Sequence, residues 1–251
     1  MLEQSVTVSA KEFTSFLKAI KGVYTGGASL IIHEDHIDTL VLSEDNASIM
    51  MYAKINRLDK GSHEEMTIHV KDVGKFNLLM GMDKKSESFT FIIKNNAIYF
   101  EGGKVSGAKF FLDENPSRKI AKRITSEWFN TFKPHCTSTI QYADIKTILE
   151  CSRFASSSGK VYIYEKDNAI IAELNDKEKV NIDNISLKLI EKYEGHIEGN
   201  VIIALDSLSS IISGIDELKM DVVTIVKHEA LLFTVNLGGV FIKYLYTTKT
   251  K

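Results

Sequence analysis

The sequence predicts an α+β fold of two topologically similar domains, each built as βαβββ-βαβββ, with helices on one face of antiparallel sheets. Three observations predict it. Strand-like and helix-like hydrophobic patterns recur in one order, a strand, a helix and three strands, four times along the chain. Corresponding helices of the two halves are offset by about 132 to 135 residues, too long for a solenoid unit and suited to a duplicated domain. Both prolines, Pro116 and Pro134, fall in one stretch between the halves, where a fixed φ and a missing donor cost least. Residues 1–112 are the first predicted domain, 113–138 the connector and 139–251 the second domain.

The first domain opens with a strand and then SAKEFTSFLKAIKG, residues 9–22. Ser9 followed by Glu12 is a capping-box pattern, in which each side chain satisfies a backbone donor of the first turn. At about 100° per residue, Phe13, Phe16, Leu17 and Ile20 share one sector, and Lys11, Lys18 and Lys21 take the other side. Strands follow at 29–33, 37–42 and 48–55. A strand at 66–69 leads into a second helix, 70–80, and then strands at 88–94, 97–101 and 108–112. The connecting HEDH, SEDN, KNN and EGGKVSG carry the turn chemistry of antiparallel hairpins.

The second domain repeats the order with a strand at 139–141, a helix at 142–155 and strands at 160–165, 169–174 and 182–192. A strand at 201–203 enters a helix at 205–218, and strands at 222–227, 231–236 and 240–247 finish the chain. Phe13, Phe16 and Leu17 align with Ile145, Ile148 and Leu149, and Val70, Val73 and Phe76 with Leu205, Leu208 and Ile211. In the connector, Ile120, Ile124, Trp128 and Phe129 fit the apolar stripe of a short helix.

Composition narrows the function. A chain of 251 residues that is 44% hydrophobic and 25% charged has the length and apolar content for a substantial core, and a soluble globular protein is expected. No apolar run is long enough to cross a bilayer, and MLEQSVTVSA lacks a basic, hydrophobic leader, so no membrane contact is expected and the location expected is cytoplasmic, the host cytoplasm for a phage-encoded chain and the nucleus for a eukaryotic or viral one. Cys136 and Cys151 are read as structural thiols, although a disulfide between them remains open. A formal net charge of −2 excludes a protein coated in positive charge, so any polyanionic partner must be met by local clusters of lysine.

Two domains, each with two helices and a run of antiparallel strands, joined by a long connector, resemble the DNA sliding clamps, the family of proliferating cell nuclear antigen and the T4-type phage processivity factors. The segment IDTLVLSEDNASIMMYAKI, residues 37–55, is similar to a clamp segment in which a strand ends in an apolar residue, turns through an acidic, serine-containing loop and re-enters a strand. The ending GGVFIKYLYTTKTK resembles the family's last strand and tail. Phage origin is expected from lysine, asparagine and isoleucine usage.

The resemblance implies a homotrimeric ring that encircles duplex DNA, is loaded by an ATP-dependent clamp loader and tethers a DNA polymerase, with no cofactor and no catalysis. It implies DNA-facing roles for Lys11, Lys18, Lys21, Lys71, Lys75, Lys146 and Arg153. The fourth helix would supply the hydroxyls of Ser207, Ser209, Ser210 and Ser213 instead of cations, and Glu150 dilutes the third. The subunit contact would pair Lys109, Phe110, Phe111 and Leu112 with a neighbour's Ile182, Ile185, Leu187 and Leu189. A partner pocket beside the connector would use Leu42, Tyr244, Leu245 and Tyr246, some of which must be core because alternate strand residues point inward.

Catalytic readings fare poorly. His33 and His36 sit three apart in a hairpin beside Glu34 and Asp35, but no third and fourth ligand shares a recognisable spacing, so no metal site is expected. Gly102–Gly103 and Gly238–Gly239 fall between strands, as turns rather than phosphate cradles. The alternatives to a ring are a monomeric or heteromeric processivity factor that binds DNA without encircling it, and an enzyme on a duplicated α+β fold, for which no acid, base or nucleophile constellation emerges.

Overall fold

In the computed structural model the described residues are 4–44, 48–59, 65–83, 85–114, 116, 126–153, 159–175, 184–213, 215–225 and 228–247. The chain packs as two compact units. The first comprises Met1–Val41, Met51–Thr125 and Asn236–Ile242, the second Leu42–Met50, Ser126–Val235 and Lys243–Lys251.

The elements of the first half are β1 (Gln4–Ser9), α1 (Ala10–Val23), β2 (Ala28–Ile32), β3 (His36–Leu42), β4 (Ile49–Asn56), β5 (Met66–Val70), α2 (Val73–Gly81), β6 (Ser88–Lys94), β7 (Ala97–Glu101) and β8 (Lys109–Phe111). This is the expected βαβββ-βαβββ order. One sheet runs β1-β6-β7-β8, and a second run of strands is ordered β4-β3-β2-β5, with antiparallel pairing throughout the ladders β1–β6, β6–β7, β7–β8, β2–β3 and β2–β5. The KNN turn between β6 and β7 places Asn95 and Asn96 at φ 50° and 54°, the left-handed pair that a tight two-residue hairpin needs. On α1, Phe13, Phe16, Leu17 and Ile20 are fully buried, each contributing roughly 1.5–3 kcal/mol by the area removed from water. Phe13 meets Phe76 of α2 edge-on at 5.9 Å and Phe91 of β6 at 5.7 Å, which fixes both helices on the first sheet.

The second half has a short α3 (Ser126–Asn130), β9 (Cys136–Gln141), α4 (Tyr142–Cys151), β10 (Lys160–Lys166), β11 (Ala169–Leu174), β12 (Ile185–Ile190), β13 (Tyr193–Gly195), β14 (Val201–Ala204), a 3-10 helix (Leu205–Ser210), β15 (Glu217–Ile225), β16 (His228–Leu237) and β17 (Val240–Thr247). One sheet is ordered β12-β11-β10-β14, and another run β13-β9-β15-β16-β17. The architecture is α+β, with antiparallel sheets and few helices. Among the described residues no helix is long and apolar enough to cross a membrane.

Three expected helices differ, and among the described residues the strand expected at 182–192 is β12, followed by a separate β13, while the one expected at 222–227 is β15, which begins at Glu217. The second helix starts at Val73 rather than at residue 70, because Val70 still pairs with Ala28 of β2 and Asp72 caps the helix by accepting from the Lys75 N–H at 2.8 Å. The third helix ends at Cys151 with Ser152 as its C-cap. The fourth is not an α-helix: Ser209 and Ser210 turn their hydroxyls back onto the carbonyls of Asp206 and Ser207, a competition for backbone acceptors that favours the tighter 3-10 turn. Ile120, Ile124 and Ile182 lie outside the described residues. Cys136 is buried and Cys151 half-buried, and both are free thiols; burial, followed by the charges of Glu165 and Asp221, pushes the Cys136 thiol up to about 11.

Candidate nucleic-acid interface and partner surfaces

In the first unit the cationic face is built by α1. Lys11, Lys18 and Lys21 are exposed while the opposite side of the helix is fully buried, so the sequence periodicity becomes a physical segregation of charge from core. Lys75 on α2 is exposed, with its ammonium 3.7 Å from Asp72. Lys71 is also exposed but precedes the Asp72 cap, so it lies outside the helix that carries Lys75 and not within the helix expected at 70–80.

Glu12 is a residue whose role the sequence misassigned. Ser9 Oγ accepts from the Glu12 N–H at 3.4 Å, but the Glu12 carboxylate does not return to the cap. It accepts instead from the Gly239 N–H at 2.7 Å, in the turn between β16 and β17. The one acidic side chain in the first turn of α1 is thereby tied to the β16–β17 turn.

In the second unit the charges are weaker. Lys146 on α4 lies 3.7 Å from Glu150, an exposed i, i+4 pair that partly neutralises it. Arg153 is exposed and sits one residue beyond the C-cap Ser152, outside α4 itself. The serines expected to offer hydroxyls divide: Ser209 and Ser213 are exposed, whereas Ser207 and Ser210 are buried. Ser210 Oγ is also 2.6 Å from the Tyr246 hydroxyl.

The expected partner pocket is corrected by burial. Tyr244, Leu245 and Tyr246 are at most 1% exposed and are core side chains, Tyr246 packing edge-on against Phe233 at 5.5 Å. Burial pushes both tyrosine hydroxyls well above their ordinary pKa. Only Leu42 of the four remains half-buried. The accessible aromatic surface on α3 and the turn after it is a different pair: Trp128 and Phe132, both half-buried, meet edge-on at 4.7 Å, while Phe129 is buried. Lys243 of β17 anchors α3 by donating to Asn130 Oδ1 at 2.6 Å, and burial lowers its pKa.

Two sheets end on strands at their described edges, β8 in the first unit and β12 in the second. Phe111 is 59% exposed, with the Lys109 ammonium 4.4 Å from its ring centre, while Phe110 packs on Phe76 at 5.0 Å and Leu112 is buried. On β12, Ile185, Leu187 and Leu189 are half-buried and alternate with exposed Ser186 and Lys188, as expected of an edge with one apolar side left open.

No protein-family model matches the chain, and no curated protein matches it. Solved structures do, and the class they define is the DNA sliding-clamp fold. The chain is similar to proliferating cell nuclear antigen (PCNA) of A. fulgidus, in a structure with the C-terminal region of FEN-1 bound, with a TM-score of 0.74 and 15% identity over 98% of each chain. It is similar to PCNA of Entamoeba histolytica, with a TM-score of 0.74 and 11% identity over 98% of each chain. A PCNA2–PCNA3 complex of Sulfolobus tokodaii matches with a TM-score of 0.71 and 12% identity over 99% of this chain and 100% of that one.

Proposed function

We propose that the chain is a non-enzymatic DNA sliding clamp and polymerase processivity factor. Three copies would join head to tail through β8 of one and β12 of the next, encircle duplex DNA, be opened by an ATP-dependent clamp loader and tether a DNA polymerase. The observation that carries this reading is α1, where exposed Lys11, Lys18 and Lys21 stand opposite a fully buried apolar stripe in a chain whose formal net charge is −2. Cations confined to helix faces neutralise phosphates without reading bases, which gives sequence-independent, salt-sensitive contact. Retention would come from ring closure rather than affinity, so a few lysines suffice. The accessible Trp128–Phe132 pair and half-buried Leu42 support docking of an aromatic-bearing partner segment on the second unit.

The test has two parts. Native mass should give three chains of 28.2 kDa each; a single chain would favour binding without encirclement. Protein loaded on a nicked circle should be released when the circle is linearised. Lys18→Glu with Lys21→Glu should reduce loading while leaving particle mass unchanged. Equal dwell time on circular and linear DNA would overturn the encircling reading.

A further inference from the structure

We propose that the β2–β3 hairpin tip binds one zinc-type divalent ion through His33 Nε2, His36 Nε2 and Asp38 Oδ1, leaving a fourth position to water. A ligand atom from each of these three residues lies within 4.8 Å of the others. A tetrahedral set with bonds of about 2.1 Å needs donors about 3.4 Å apart, so closure requires movement of roughly an ångström. The rings are stacked at 4.2 Å with an 18° tilt, and binding would turn their edges toward one point.

Each donor has a partner on its other atom. Asp35 Oδ1 forms a short hydrogen bond with His36 Nδ1, and Glu65 Oε2 lies 3.6 Å from His33 Nδ1, so carboxylates face both Nδ1 atoms. His33 Nε2 already faces Asp38 Oδ1 at 3.3 Å. The other Asp38 oxygen accepts from the Tyr52 hydroxyl at 3.0 Å. Carboxylates on the remote imidazole nitrogens fix tautomer and ring orientation at metal centres.

The backbone beneath is held as well. The His33 N–H donates to His36 O at 2.8 Å, and Arg57 reaches His33 O through its guanidinium and Asp35 O through its own N–H, both at 2.8 Å. His33, His36 and Asp38 are all half-buried, dry enough to strengthen the bonds and open enough for an ion to enter. Two imidazoles favour zinc, nickel or copper over magnesium or calcium. The sequence hid the site because Asp38 and Glu65 come into reach only through hairpin pairing and the ladder β2–β5.

Tag-free, chelator-treated protein titrated calorimetrically with zinc chloride should bind one ion per chain. Cobalt(II) should give the visible absorption of a tetrahedral centre. His36→Gln and Asp38→Asn, each checked for a native far-ultraviolet spectrum, should weaken binding at least tenfold. Glu65→Gln should weaken it less than tenfold, since at 3.6 Å its carboxylate only faces His33 Nδ1 as a charge and is not a ligand. Magnesium chloride should give no saturable heat. Absence of zinc binding in the unaltered chain, or unchanged affinity in folded His36→Gln, would overturn the proposal. Neither result depends on DNA or on oligomeric state.

Discussion

Replacing Arg57 by alanine tests the claim that one buried guanidinium ties the β2–β3 hairpin to β1. The side chain is 0% exposed and makes four bonds: Nε and Nη2 to the two oxygens of Asp59 at 3.0 and 2.9 Å, Nη1 to His33 O at 2.8 Å and Nη2 to Ser5 O at 3.1 Å. Breaking a buried pair by removing one partner costs about 3–5 kcal/mol. Asp59 is 31% exposed and keeps the Thr7 N–H at 2.9 Å, so part of its charge is rehydrated and the lower end applies, about 3 kcal/mol. For a chain of this size that lowers the thermal midpoint by about 6–12 °C.

The same variant carries a pH signature. Burial pushes the Asp59 carboxyl upward, but the hydrogen bonds from Arg57 and the Thr7 N–H outweigh it and hold the carboxyl below its ordinary value of 3.8. A depressed folded pKa gives stability that is present above the ordinary value and lost as pH falls through the folded one. The penalty of Arg57→Ala, read from urea midpoints, should therefore be full at pH 7 and shrink below about pH 4. A loss under about 1 kcal/mol, or a penalty unchanged down to pH 3, would refute the reasoning.

Three further outcomes are expected. A Cβ on Gly239 would meet Glu12 Oε2 at 2.5 Å, so Gly239→Ala should cost about 1–2 kcal/mol in urea unfolding and markedly less in a Glu12→Ala background. Ser210→Ala strands the buried Tyr246 hydroxyl and should cost about 1–3 kcal/mol, a loss that Tyr246→Phe in the same chain should reduce. Phe111→Lys and Leu187→Lys should each lower native mass toward one chain while changing monomer stability by no more than about 0.5 kcal/mol, since both positions are at least partly exposed.

Periodicity made α1 legible almost residue for residue, because fully buried Phe13, Phe16, Leu17 and Ile20 recur at helical spacing beneath an effective serine cap. Strands were legible where turn residues bounded them, as at Asn95–Asn96. Pattern failed where two local rules competed. At residues 70–73 apolar spacing suggested a helix, but the β5 ladder claimed Val70 and Asp72 set the cap, displacing Lys71 from the expected face. At 205–210 a similar spacing lost to serine hydroxyls that prefer nearby carbonyls. For Tyr244–Tyr246 the sequence shows aromatics on a strand but not that both sides of that strand are covered, and the burial of all three is tertiary information.

The failures fall mostly in one half, and that bears on the proposed function. The first unit presents three exposed lysines on a 14-residue helix, the one acidic side chain of its first turn bonded to the Gly239 N–H. The second presents Lys146 beside Glu150, Arg153 past the helix end, and a six-residue 3-10 turn with two of its serines buried. If every helix met phosphate alike, charge reversal in either half would reduce loading similarly. The asymmetry argues otherwise: Lys18→Glu should lower both loading and its salt dependence, by a slope of about 0.9 for each phosphate no longer neutralised, whereas Lys146→Glu should change the slope little because Glu150 already offsets that charge. Equal slopes for the two variants would mean that the divided electrostatics of the units do not set the interaction with DNA.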